Sequence, residues 1–223
     1  MFAVMETPLD RIRAATTPLH RRIETLAYSH AVLDGSLSLA VYASFLRATD
    51  MVHAALERAA DRSAEAGIRS VLGDASPRRA LLAQDLAYLG ADPRRVDAAA
   101  REAQMLGQAM WVAAQHAPAK LLGHAYVLEG SQLGGLVQAI ALRKRAELRD
   151  GGLLYLSGTG HTARSQFTQF ITRLQLALGH GGLRSPEGAD AASHETAILA
   201  TIVGALDAFS GFERILRAVA RSA

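Results

Sequence analysis

The sequence predicts an all-α fold, a helical bundle. Three observations carry that expectation. Apolar residues recur at helical spacing along most of the chain, and no run alternates with period two between turn signals. Thr-Pro, Ser-Pro and Asp-Pro pairs mark helix starts, and glycines mark helix stops. Half of the 223 residues are hydrophobic and only 20% are charged, enough apolar surface for a core and too little charge for a disordered tail. One domain covering residues 1–223 is the expected organisation, with roughly seven or eight helices by pattern count.

The elements follow in order. Thr7 is an N-cap, Pro8 sits at the first helical position and Asp10 lies near the positive helix end. Leu9, Ile12, Thr16, Leu19, Ile23 and Leu26 then fall on one stripe, so Pro8 to Leu26 reads as an amphipathic helix. A linker with Asp34-Gly35-Ser36 follows. The second helix runs from about Leu37 to Glu65 on an apolar face of Leu39, Tyr42, Phe45, Leu46, Thr49, Val52 and Leu56, with Gly67 as its stop. Ser76-Pro77 opens a third helix that ends at Gly90, and Asp92-Pro93 opens a fourth, from Arg94 to about Met105. Pro118 to Ala146 reads as one long helix interrupted at Gly130, Gly134 and Gly135. A glycine loop at Gly158 and Gly160 leads into a helix from about Thr162 to Leu178, stopped by Gly179, Gly181 and Gly182. The last helix covers about Ala191 to Val219.

Composition removes several function classes. Without cysteine there is no disulfide, thiolate nucleophile, Cys-ligated zinc or Cys-ligated iron–sulfur cluster. A net charge of +3 suits an acidic small molecule or protein partner. Aromatics at 5% and the lack of long Lys/Arg runs argue against nucleic acid. The apolar stretch Leu121 to Leu142 carries His124, Glu129, Gln132 and Gln138, so it is not expected to span a membrane. The first residues do not read as a signal peptide, and the expected compartment is the cytoplasm. No Gly-x-Ser-x-Gly elbow is present.

Two features carry possible chemistry. Arg13, Thr17, His20 and Glu24, spaced four, three and four apart, form a stripe beside the apolar one. A neutral imidazole there suits a metal, with Glu24 accepting the other ring N–H and Arg13 meeting an acidic ligand group. By spacing alone, an ordinary i,i+4 pair is the commoner meaning. The second feature is Tyr126-Val127-Leu128-Glu129-Gly130-Ser131-Gln132-Leu133-Gly134-Gly135. Each interior helix glycine costs about 1 kcal/mol against alanine, so three so close together need a reason. Gly130 and Gly134 clear one helix face for a flat ligand. By spacing alone, close helix–helix packing is the commoner explanation, although Ser131 and Gln132 add polar groups that dry packing does not need.

Weaker signals remain. The loop before Arg164 lacks the Gly-Lys-Ser/Thr ending of a phosphate loop and reads as a turn, with Arg164 placed to meet an anion. Asp50, His53 and Glu57 share a helix face at metal-ligand spacing, but no Glu-x-x-His partner accompanies them, so a solvated face is expected. His116, His124, His161, His180 and His194 form no constellation.

Together, the Leu19-His20-x-x-x-Glu24 helix, the later Glu129-Gly130-Ser131-x-Leu133-Gly134-Gly135 string and the glycine loop beyond it resemble the bacterial haem (heme) oxygenases. The likeness is greatest to members that supply biliverdin to bacterial phytochromes, and it spans roughly residues 8 to 180. The resemblance implies O2- and reductant-dependent cleavage of haem to biliverdin, CO and ferrous iron, with haem as both substrate and cofactor. It implies His20 as the proximal iron ligand, Glu24 as its hydrogen-bond partner and the helix at Gly130, Ser131, Gly134 and Gly135 as the distal wall. Arg13 and Tyr126 match propionate-contacting positions, and Arg164 is a further candidate. Thr17 stands where some members carry another basic residue. Ser131 stands where many animal-type members carry an aspartate that orders water; some bacterial members also lack that aspartate. The implied partners are an external electron donor, a ferredoxin or a flavin-containing reductase, and a bacteriophytochrome receiving biliverdin. Two alternatives share the broad architecture: a non-catalytic haem carrier and a di-iron helical-bundle oxidase.

Overall fold

A computed structural model describes residues 6–73, 78–158, 163–179 and 191–221. These form helices and connecting turns, with no strand among the described residues. The helices are α1 (Pro8–Glu24), α2 (Ala27–Asp34), α3 (Leu39–Arg62), α4 (Ala66–Leu72), α5 (Arg78–Tyr88), α6 (Ala98–His116), α7 (Lys120–Leu142), α8 (Leu154–Ser157), α9 (Ala163–Ala177) and α10 (Ala191–Ala220), with a 3-10 turn at Ala146–Leu148.

The start of α1 follows its sequence. The Thr7 hydroxyl accepts from the Asp10 N–H at 3.2 Å, and the Asp10 carboxylate accepts from the Thr7 N–H at 3.2 Å, a closed capping box. Leu9, Ile12 and Thr16 are buried, as the stripe requires. Pro18 lies inside the helix, where it has no N–H for the Ala14 carbonyl. Just before it, the Thr16 and Thr17 hydroxyls bond back to the carbonyls of Ile12 and Arg13 at 2.8 and 2.7 Å.

Three helix boundaries differ from the sequence expectation. The linker after α1 contains α2, closed by Gly35 in the left-handed region at φ 77°. Gly67 does not stop the second helix; Ser63 ends it, and Gly67 lies within α4. The fourth helix starts at Asp97 rather than at Asp92. The Asp97 carboxylate accepts from the Ala100 N–H at 2.9 Å and also holds Ser44 and Arg47 of α3 at 2.7 and 2.8 Å, so tertiary contacts select this cap. That helix continues to His116. The features expected at Ser76, Pro77, Gly160, His161, Thr162, His180, Gly181 and Gly182 lie outside the described residues.

α10 is the hub of the bundle, packing on α1, α6 and α7, and α3 packs on α6. It is also the one described helix that passes for a membrane span by length and composition. α7 crosses α10 at backbone contact. A Cβ on Gly123 would run into Thr201 O, and one on Gly204 into Lys120 O, so only glycine permits this approach. The Thr201 hydroxyl, 3.2 Å from Ala119 O, fixes the same crossing. α1 and α7 thus lie on a common helix, and a cavity opens between them.

Candidate functional site

That cavity measures about 660 Å³, within the range of small-molecule sites. α1 contributes Arg13, Thr16, Thr17, His20, Ile23 and Glu24. α7 contributes Tyr126, Val127, Gly130, Ser131, Gln132, Leu133, Gly134, Gly135, Val137 and Gln138. Phe209, Phe212 and Leu216 of α10 and Phe167 of α9 supply aromatic and aliphatic lining. The two features separated by most of the chain in sequence therefore meet in one space. Arg164 does not: it is exposed on α9 and absent from the cavity lining.

On the α1 side, His20 Nδ1 faces Glu24 Oε1 at 3.4 Å, and the His20 ring meets Phe209 edge-on at 5.9 Å between centroids. With Nδ1 directed at the carboxylate, Nε2 is the nitrogen left for a ligand. Both side chains are about 60% exposed (62% and 61%), so solvent reaches this wall. Arg13 lies beside Tyr126. Burial pushes the Tyr126 hydroxyl pKa up, and the Arg13 guanidinium opposes that rise. The pair offers a cation and a hydroxyl side by side for a carboxylate.

On the α7 side the helix runs through all three glycines without losing its helical pattern. The glycines divide. Gly134 has open space where a Cβ would stand, and a Cβ on Gly130 would make ordinary contact with the Phe167 ring at 3.7 Å. Gly135 instead packs on α8, with Leu156 O only 2.9 Å from the Cβ position. Close packing accounts for Gly135, and bare backbone beside the cavity accounts for Gly134. Leu133 and Val137 leave apolar surface exposed at the rim, 44% and 58% accessible.

Behind α7 lies a polar network that sequence reasoning missed. Arg78 is ion-paired with Glu129 and donates to Leu128 O at 3.0 Å. Gln132 donates to Glu129 Oε2 at 3.1 Å. The Ser131 hydroxyl donates to Leu128 O at 2.7 Å. Tyr155 OH lies 3.1 Å from His53 Nε2. α8 owes its position to Asp85 of α5, whose carboxylate accepts from the Leu154 and Tyr155 N–H groups at 2.8 and 2.7 Å, a cap supplied from another helix. Burial pushes the Asp85 carboxyl pKa up against those two bonds. The Tyr42 hydroxyl donates to Gly152 O at 2.9 Å and holds the preceding turn. Nothing local marks Arg78, Asp85, Tyr42 or Tyr155. They are single polar positions in apolar or loop segments, and only the tertiary fold joins them.

The Asp50, His53 and Glu57 trio separates in the structure. Asp50 and Glu57 both engage Arg79, at 2.8 and 3.3 Å. His53 is buried rather than solvated, and burial, helped by Arg78 and Arg79, lowers its pKa to about 3. Among the described residues no group of three or more His, Asp or Glu side chains is placed to hold a metal ion. Among the described residues the di-iron alternative therefore has no ligand set.

Fold and cavity together define an all-helical protein with a cavity of about 660 Å³ between an N-terminal histidine-bearing helix and a glycine-rich internal one. The chain belongs to the heme oxygenase family, whose model matches residues 7–175. With the family comes its enzyme class, an oxygenase acting on haem. Solved structures share the fold. Heme oxygenase 2 from Chlamydomonas reinhardtii, without heme, superposes with a TM-score of 0.76 at 20% identity over 96% of this chain and 97% of that one. Heme oxygenase-2 from Synechocystis sp. PCC 6803, in complex with heme and NO, gives 0.72 at 19% identity over 97% and 88%. Heme oxygenase-1 from the same cyanobacterium, in complex with heme, gives 0.71 at 17% over 97% and 95%. No curated protein matches the chain by sequence.

Proposed function

We propose that this chain, as a single domain over residues 1–223, cleaves haem to biliverdin, CO and ferrous iron in the cytoplasm, using O2 and external electrons. The observation that carries the reading is that His20 and the open glycine face at Gly130 and Gly134 line one cavity in a chain of the heme oxygenase family. The residues present fit haem: an imidazole with an orienting carboxylate, a cation beside a hydroxyl, and an aromatic and aliphatic lining.

Bound haem supplies the O2 chemistry and is itself what is cleaved. His20 would hold the haem iron, with Glu24, 3.4 Å from Nδ1, accepting from that nitrogen and fixing the tautomer. An imidazole ligand would lack the electron push that a thiolate gives. Arg13 of α1 and Tyr126 of α7 would hold a propionate, with Thr17 one turn from Arg13 on α1. Gly130 and Gly134 keep the opposite wall close, and Ser131 brings a hydroxyl to it. Phe167, Phe209, Phe212 and Leu216 exclude water. Electrons come from a ferredoxin or a flavin-containing reductase, and the net charge of +3 favours an acidic donor. Likeness to phytochrome-associated members supports a bacteriophytochrome as recipient of biliverdin.

The test is a hemin titration followed by ascorbate or a reductase system in air. A one-to-one Soret band that decays to a broad red biliverdin band is the expected result, with His20→Ala losing the normal spectrum and turnover. A stable Soret band would replace this reading with a non-catalytic carrier, the alternative that Ser131 in the aspartate position favours. Absence of any Soret band would remove both.

A further inference from the structure

We propose that Tyr28 and Gln138 form a polar subsite that binds a terminal lactam of the opened tetrapyrrole, and so distinguishes product from substrate. The inference rests on the haem reading above and deepens it.

Several polar side chains of the cavity wall use their hydrogen-bonding groups inside the protein. The Thr16 and Thr17 hydroxyls bond back to Ile12 O and Arg13 O. Ser29 donates to Ile23 O at 2.7 Å. The Gln132 amide donates to Glu129, and the Tyr155 hydroxyl lies 3.1 Å from His53 Nε2. Tyr28 and Gln138 differ. The Tyr28 hydroxyl and Gln138 Oε1 are buried and have no hydrogen-bond partner among the described residues. Both residues line the cavity. The other buried side-chain atoms without a partner, on Arg47, Thr49, His124 and Arg145, belong to residues outside the lining. Native proteins rarely leave a buried donor or acceptor unpaired, so two at one cavity wall point to a ligand that completes them.

Their place in the cavity decides which part of a ligand they meet. Tyr126, beside Arg13, and Gln138 share α7, with about 18 Å of helix axis between them. Tyr28 stands on α2, which packs on α7. The cavity therefore has a cationic end at Arg13 and Tyr126 and a neutral polar end at Tyr28 and Gln138. Phe45 packs on the Tyr28 ring, with centroids 5.1 Å apart. Burial pushes the Tyr28 hydroxyl pKa well up, so it remains a protonated donor. Gln138 is half-buried, and its flexible stem lets the amide turn toward the cavity.

A tetrapyrrole whose propionates lie at the cationic end turns its opposite edge to Tyr28 and Gln138. On haem that edge carries only carbon and hydrogen and leaves both atoms unpaired. When the ring opens at that edge, one bridging carbon leaves as CO. Each of the two flanking rings keeps a carbonyl oxygen beside its N–H. Such a lactam presents an acceptor and a donor side by side. Tyr28 O–H donates to the carbonyl, and Gln138 Oε1 accepts from the N–H. Freed from the macrocycle, a terminal ring can turn about its methine bridge to meet them. The product satisfies the subsite and the substrate does not, the condition under which polar groups discriminate most strongly.

The test measures binding of biliverdin IXα, the isomer opened opposite its propionates, to the full chain. Hemin and metal-free protoporphyrin IX serve as ligands without a lactam. Tyr28→Phe and Gln138→Leu should each weaken biliverdin binding about tenfold and leave both porphyrins within about twofold, as expected for one buried hydrogen bond. The lactam carbonyl stretch of bound biliverdin, read by infrared difference spectroscopy, should lie lower in the wild type than in Tyr28→Phe. Without ligand, each substitution removes a buried unpaired polar atom, so the urea midpoint should hold or rise. Equal losses for biliverdin and the porphyrins would mark general damage to the cavity and overturn the proposal. Unmoved biliverdin affinity would overturn it as well. Gln138→Leu, at a half-buried position, decides the matter even if Tyr28→Phe fails to fold. A wild-type chain that binds no hemin would defeat the haem reading and this inference with it. Normal hemin binding and turnover with unmoved biliverdin affinities would defeat this inference alone.

Discussion

The two walls of the cavity are held in different ways. The α1 wall presents a local stripe, Arg13, Thr17, His20 and Glu24, whose side chains are largely exposed and whose His20–Glu24 contact is an i,i+4 pair at 3.4 Å. The α7 wall is held from behind by residues distant in sequence: Arg78 on Glu129, His53 on Tyr155, and Asp85 on α8. A wall made of local contacts adapts to a ligand at little expense to the fold. A wall tied into buried polar bonds keeps its shape whether or not a ligand is present.

The sharpest break of this comparison lies within α7 itself, at two adjacent glycines. Gly135→Ala places a Cβ 2.9 Å from Leu156 O, a backbone atom of α8 that cannot swing aside. Stability should fall by about 1–3 kcal/mol, as for other overpacked sites, read as a shift of the urea midpoint. Gly134→Ala meets nothing within 4 Å. It should gain up to about 1 kcal/mol from helix propensity while weakening hemin binding, because the new methyl enters the cavity. Movement of both variants in the same direction would erase the distinction between a packing glycine and a cavity glycine.

The next effect concerns pH. His53 is lowered from 6.5 to about 3 by burial and by the cations Arg78 and Arg79. The unfolded chain takes up this proton from pH 6.5 downward, and the folded chain does so only near 3. Its contribution to stability is therefore fully present above pH 6.5 and is lost as the pH falls toward 3. Urea unfolding of the wild type should steepen with acid by up to about 1.4 kcal/mol per pH unit from this group, and His53→Gln should remove that component. Equal acid slopes in the two proteins would show that His53 is not held neutral behind α7.

The same difference between the walls governs what was legible in the sequence. The α1 wall and the cap at Thr7 were readable because their partners lie three or four residues apart, within the reach of helix geometry. The glycine string announced itself by its propensity penalty, but the sequence could not assign Gly134 to the cavity and Gly135 to α8, since that depends on where Leu156 arrives. Asp97 displaced Asp92 as the cap of α6 because Ser44 and Arg47 of α3 stabilise its carboxylate. His53 looked like a member of a solvated face, yet α8 covers it. In each case the deciding partner lies tens of residues away, beyond the range of local pattern.

The smallest expected effect sharpens the contrast from the α1 side. Glu24→Gln removes the charge facing His20 Nδ1 but keeps an oxygen that can accept from it. Both groups are about 60% exposed, so the pair is screened, and loss of the charge should change stability by no more than about 0.5 kcal/mol. The spectrum should respond more than the fold does. A weaker acceptor at Nδ1 makes the imidazole a poorer donor through Nε2, so the reduction potential of the loaded protein should rise while its urea midpoint stays put. A stability loss comparable to that of Gly135→Ala would mean that α1 is held as tightly as α7. An unmoved potential would mean that Glu24 does not orient His20.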